Sequence, residues 1–322
     1  MTGYLGYRPG DADTSYGSYF DSRMAALPRH VVEALEHGPQ ADQVLPGFGA
    51  RADMLDAGYQ QTETGYGTVR GGGFQVSVRT EMPGVTPAMW DWWFGWHGSE
   101  SRRYKLWHPR AHVSARWADG GGDGSYVGRT SLIEEYLGSA YLAGAITFVT
   151  PAEFGLDEGR LGGDIAVCAR LGSARLPVDI GWFVHHVRAL PDGAEMRSRF
   201  WMGGPHIAVS KGNRITDAAV RPVADRQLPD PRDLLVHCAQ EMNHLAGFLP
   251  DLYAAERGAA GVVEDLLGGP ETGRFFSRPE RGVRLAMHPL ASFCTVVVIL
   301  ALCGEQQAVA QTRASPASEA TV

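Results

Sequence analysis

Residues 237–245 read HCAQEMNHL, inside the longer run DPRDLLVHCAQEMNHLAGFLPDLY at 230–253. The run has the marks of one long helix: Asp230 suits an N-cap, Pro231 the first helical position, and Asp233 the positive N-terminal end. At about 100° per residue, His237, Glu241, His244 and Phe248 fall on one narrow stripe, with Leu234, Met242, Leu245 and Leu249 on the adjoining one. The polar stripe therefore borders the buried face instead of opposing it. Two imidazoles and a carboxylate placed there need partners, because burying them unsatisfied is costly.

Upstream of this helix the patterning changes from helical to strand-like. An amphipathic helix, MAALPRHVVEALEHG (24–38), and a short helical stretch near ARADMLDAGY (50–59) lie among Gly- and Tyr-rich loops. After a glycine run at 71–73, FQVSVRTEM alternates Phe74, Val76 and Val78 as a strand does. Thr86 and Pro87 open a helix, TPAMWDWWFGWHG, that carries four of the eight tryptophans. Strand-like segments follow at 112–117, 130–137, 144–150, 164–171, 181–190 and 195–202, and GGGDG at 120–124 is a turn between them. An early helix, a run of antiparallel strands and one long late helix make an α+β order. A sheet curled around the late helix would enclose a cavity.

Composition narrows the function classes. The 322 residues are 44% hydrophobic, enough for one large domain or two modest ones. A net charge of −7, without a basic run, argues against a nucleic-acid backbone as partner. Cys168, Cys238, Cys294 and Cys303 form no CxxC pair and sit among apolar residues, as reduced thiols of a cytoplasmic protein do. The N-terminus has no signal-peptide pattern, and LASFCTVVVILALCG (290–304) is shorter than the roughly 20 residues of a spanning helix, so no membrane role is expected. The polar run after it reads as a disordered tail.

One helix can offer a histidine and a glutamate at i and i+4 to a single ion, and zinc accepts imidazole nitrogen together with carboxylate oxygen. Two further ligands would come from the strands. Candidates are His108 or His112, Glu134 or Glu135, and His185 or His186; in each strand pair alternation lets only one member face the interior. HExxH, GxSxG and Walker motifs are absent, and the second Glu-x-x-His helix of a carboxylate-bridged di-iron bundle is missing.

The segments PGVTPAMWDWWFGWH (83–97), RYKLWHPRAHV (103–113), YVGRTSLIEEYLG (126–138), FVTPAEFG (148–155) and HCAQEMNHLAGFLPDLY (237–253) together resemble the 2,4-diacetylphloroglucinol hydrolase and phloretin hydrolase family over roughly residues 65–285. The resemblance implies a Bet v 1-like helix-grip domain (84–289) behind a small N-terminal domain (1–83), with 290–322 outside both. It also implies a homodimer and zinc-dependent hydrolysis of the carbon–carbon bond between an acyl group and a polyhydroxylated ring. By position the family's zinc ligands correspond to His112, Glu135, His237 and Glu241; Tyr104 matches a tyrosine that bonds a phenolic oxygen, and His185 an active-site histidine. His244 is a candidate for orienting a ligand carboxylate. At two substrate-contact positions this chain departs from the family: Ala115 stands for an asparagine and Phe200 for a tyrosine. The metal chemistry survives those changes, whereas the identity of the small aromatic ketone does not follow. The competing class is a non-catalytic helix-grip carrier of aromatic or lipid-like ligands, which has no need of the four metal ligands together; a non-haem iron oxygenase is a third.

Overall fold

The computed structural model describes residues 5–209 and 217–267. Cys294, Cys303 and the expectations for 290–322 lie outside them. The strands are β1 (Gly65–Thr68), β2 (Phe74–Pro83), β3 (His112–Trp117), β4 (Thr130–Leu137), β5 (Ala140–Val149), β6 (Ile165–Ser173), β7 (Val178–Leu190), β8 (Gly193–Met202) and the short β9 (Ala208–Val209). The α-helices are α1 (Arg29–His37), α2 (Pro87–His97), α3 (Ser101–Trp107), α4 (Pro151–Phe154), α5 (Asp217–Ala224), α6 (Pro231–Ala246) and α7 (Leu249–Leu267).

All the strands belong to one antiparallel sheet in the order β1-β2-β8-β7-β6-β5-β4-β3, with β9 on β7. The helix α6 packs against β1 and β2 near one edge and also against β4 near the other. Five strand spacings separate β2 from β4 in that order, about 24 Å in a flat sheet. A helix about 10 Å wide meets both only if the sheet curls round it. This is the helix-grip, Bet v 1-like α+β fold, and it makes the polar stripe of α6 face the concave side.

The convex side is covered too. On β8 alternate residues Met196, Ser198, Phe200 and Met202 point inward while Glu195, Arg197, Arg199 and Trp201 point out, yet all are buried. The outward arginines are held by Glu63, with Arg197 Nη2 2.6 Å from its carboxylate and Arg199 bonded to the same group. Trp201 donates to the Pro46 carbonyl at 2.8 Å. A second, smaller core of Met54, Phe154, Cys168, Val184 and Trp201 lies beneath this N-terminal segment. The sheet thus runs across position 83, where the sequence suggested a border between two domains, and the described residues fall in one compact unit. None of the described helices is long and apolar enough to cross a membrane.

The local signals at helix starts are realised: Asp230 accepts from the Arg232 amide, and Thr86 accepts from Met89 at the start of α2. Three expectations need correction. The long late helix stops at Ala246, because Pro250 has no N–H to bond the Ala246 carbonyl, and α7 begins at Leu249. The first helix begins at Arg29, not Met24, for the same reason at Pro28. Residues 101–107, to which the sequence patterning assigned no element, form α3.

Candidate metal centre and active site

Four side chains from three elements meet inside the grip. His112 opens β3 and faces Glu135 across the β3–β4 ladder. The alternating burial of β4 turns Ser131, Ile133, Glu135 and Leu137 inward, while Glu134 points to the other side and accepts from Ser114 at 2.9 Å. From α6, His237 and Glu241 present their tips at i and i+4. His112 Nε2 lies 3.3 Å from His237 Nε2 and 3.5 Å from both Glu135 Oε2 and Glu241 Oε2. His237 Nε2 is 3.7 Å from each of the same two oxygens.

The spacings among His112, Glu135 and His237 fit one small cation, and Glu241 Oε2 approaches both histidine nitrogens. Four ligands at about 2.1 Å from a tetrahedral centre lie about 3.4 Å from one another. The ring orientations fit as well. His112 Nδ1 donates to the Tyr104 carbonyl at 2.9 Å, and His237 bonds the backbone of Tyr136, which leaves both Nε2 lone pairs free for a metal. Burial drives both histidines well below their usual range and so keeps them neutral. It raises the carboxyl of Glu135 to about 7, and burial together with the facing Glu135 raises Glu241 well above the carboxylate range. Two carboxyls that resist ionising together in an apolar cage, beside two neutral imidazoles, are the donor set a divalent cation satisfies. His112, Glu135 and His237 alone offer ligand atoms all within 4.8 Å of one another.

The cluster forms part of the wall of an internal cavity lined also by Phe94, His97, Tyr104, Trp107, Phe183, His185 and Phe200. Tyr104 stacks on His112 with ring centroids 3.7 Å apart and donates its hydroxyl to Glu135. His185 faces inward, with Nδ1 2.8 Å from Ser198 Oγ; burial pushes its pKa down to about 3. His186 faces the convex side, 3.1 Å from Asp164. Phe200 lines the cavity, whereas Ala115 does not reach it, although it lies on the inner face opposite Ile133, which does. A bulge between His112 and Ser114 shifts the register and lets His112 and Ala115, three positions apart, share that face.

His244 is not joined to the cluster: its ring meets Phe248 edge-on at 5.5 Å, and its Nε2 has no hydrogen-bond partner among the described residues. His108 stacks on His237 at 4.7 Å and 17° and is held on its other side by Gln240, so it buttresses a candidate ligand from behind. Of the tryptophans, Trp90 and Trp93 are core and Trp107 lines the cavity. His97 escaped the sequence reading; its signal was Trp93-x3-His97 at the C-terminal turn of a helix.

The fold is a helix-grip with two imidazoles and two carboxylates gathered at an aromatic cavity, a group that could hold a metal ion. The profile of the DAPG hydrolase PhiG domain matches residues 45–254. A 2,4-diacetylphloroglucinol hydrolase of Pseudomonas protegens is 32% identical over 265 residues, covering 74% of this chain and 83% of its own. Phloretin hydrolase of Eubacterium ramulus is 31% identical over 264 residues, covering 76% and 90%. The chain belongs to the DAPG hydrolase family and is a hydrolase. Among solved structures, major latex-like protein 151 of Panax ginseng aligns over 51% of this chain and 95% of its own with 12% identity and a TM-score of 0.30; the fold description above rests on strand order and not on that likeness.

Proposed function

We propose that this protein is a zinc-dependent hydrolase that cleaves the carbon–carbon bond between an acyl group and a polyhydroxylated aromatic ring, as in an acylphloroglucinol or a phloretin-like ketone. The observation that carries the reading is the buried group of His112, Glu135 and His237, whose ligand atoms lie within 4.8 Å of one another, with Glu241 Oε2 3.5 and 3.7 Å from the two histidine nitrogens, beside a cavity that large aromatic side chains line. The family resemblance further suggests a cytoplasmic homodimer that uses residues 1–83 for subunit contact.

The difficulty of the reaction is the leaving group, a ring carbon that must depart with the bonding electrons. Hydroxyls ortho to the acyl group ease it: their keto tautomer carries a proton on that carbon and turns the ketone into a β-diketone. Water then adds its oxygen to the acyl carbon, the bond to the ring breaks, its electron pair restores the ring's phenol, and a carboxylic acid is released. Zinc in the cluster supplies Lewis acidity toward the acyl or phenolic oxygen. Tyr104 holds a phenolic oxygen beside that cluster, and its bond to Glu135 couples the two. His185, neutral and positioned through Nδ1 by Ser198, passes the proton between water and ring through Nε2.

Turnover of an acylphloroglucinol in 18O-water is expected to place one solvent oxygen in the released carboxylate, without oxygen consumption. A label drawn from O2 would indicate an oxygenase, and a purified chain that neither contains about one zinc nor is activated by it would indicate a carrier.

Phe200 makes the cavity wall less polar than the family pattern, so a bulkier or less hydroxylated acyl phenol than diacetylphloroglucinol is expected to be preferred. Phe200→Tyr with Ala115→Asn should move the ratio of kcat/KM toward the diacetyl substrate by about tenfold, the order a hydrogen bond supplies. Phe200→Tyr alone should carry most of the shift, since Phe200 touches the cavity. An unchanged ratio would show that neither position contacts the ring.

A further inference from the structure

Three polar side chains of the cavity wall, His97, Trp107 and Ser131, have no task in the mechanism above. His97, 5% exposed, ends α2, and its Nδ1–H donates to the Trp93 carbonyl one turn back at 2.8 Å. That bond fixes the tautomer with the lone pair on Nε2. The ring is held flat: it stacks on Trp93 at 5.1 Å and 14°, runs parallel to Tyr104 at 6.0 Å, and meets Trp107 edge-on at 5.1 Å. Burial lowers its pKa to about 4, so it is a neutral acceptor. Trp107 supplies the complement, a buried indole N–H with no partner. Both residues line the cavity beside Tyr104.

Packing explains the His97 ring and its Nδ1, as a helix-end histidine bonding its own last turn. It does not explain the Trp107 indole N–H left buried and unpaired among the described residues, its ring 5.1 Å from an imidazole acceptor, since such a group is costly unless bonded. We propose that His97 Nε2 and the Trp107 indole N–H are the partners of two ring hydroxyls, the first accepting from one hydroxyl and the second donating to another phenolic oxygen. They take over the ring recognition that Ala115 and Phe200 cannot provide. A hydroxyl whose proton leans on Nε2 also pushes electron density into the ring and favours the keto tautomer the cleavage needs. The inference deepens the hydrolase reading and rests on it for the identity of the ring.

The test uses the metal-loaded full chain and two rings that need no turnover, phloroglucinol and resorcinol, with affinities from titration calorimetry. The wild type is expected to prefer phloroglucinol about tenfold, and His97→Phe, which keeps the stack, to bring the ratio close to one. Trp107→Phe is the parallel variant should His97→Phe fail to fold. Equal weakening of both rings marks a packing residue and overturns the proposal, as does a wild type that binds both alike or neither. If the ratio behaves as expected while no acylphloroglucinol is hydrolysed, the recognition site stands and the hydrolase reading falls.

Discussion

His237→Ala and Glu241→Ala are each expected to lose the bound metal and the hydrolytic activity together while the protein stays folded. Loss of outer partners that only orient a metal ligand costs about 10- to 100-fold in affinity or activity, so removing a ligand itself should cost more. The fold survives because α6 keeps its apolar stripe of Leu234, Leu235, Met242 and Leu245, all buried. Glu241 is moreover a buried carboxyl facing another one, and without a cation its removal takes away a burden on the folded state instead of a support. Metal content by mass spectrometry and thermal unfolding with and without chelator provide the check. In the wild type a chelator should lower Tm; in the variants it should change nothing. Full zinc occupancy in both variants would show that the ligand set is wrong.

His185→Ala is expected to slow turnover about 100-fold or more, the range of a positioned acid–base group, without releasing zinc. The neighbouring His186→Ala is the control. One position along β7, it faces the convex side and Asp164, and its loss should leave the rate nearly unchanged. With a pKa near 3, His185 stays neutral across the working range, so it should contribute no inflection to the pH–rate profile above about pH 4. Wild-type rates in His185→Ala would move the proton path to Tyr104 or to solvent.

Part of this site could be read from residue order alone. Two ligands share a face of one helix at fixed spacing, and strand alternation reduces the rest to choices between neighbours. Family resemblance selected Glu135 and His185 from those pairs, and both point into the cavity. What escaped has physical causes. Ser101–Trp107 has too few apolar positions to show helical periodicity and is helical because Tyr104, Leu106 and Trp107 are buried by tertiary packing. Arg197 and Arg199 looked like solvent-facing strand positions, but Glu63, more than a hundred residues earlier, buries them. Pro83, the last residue of the proposed N-terminal domain, ends a strand paired along its whole length with β8. Alternation itself misleads at the start of β3, where an unpaired residue interrupts it.

That interruption separates two kinds of evolutionary freedom within six residues. Up to His112 the strand is tied to the cluster, because the imidazole must meet Glu135 across the ladder. Past Val113 the phase is reset, and Ala115 and Trp117 look inward on a rhythm of their own. A side chain at 115 can lengthen, shorten or change polarity without turning His112 away from its partners. Deleting Val113 would leave His112 and Ala115 two positions apart, where a regular strand turns both to the same face but without the local twist that a bulge adds.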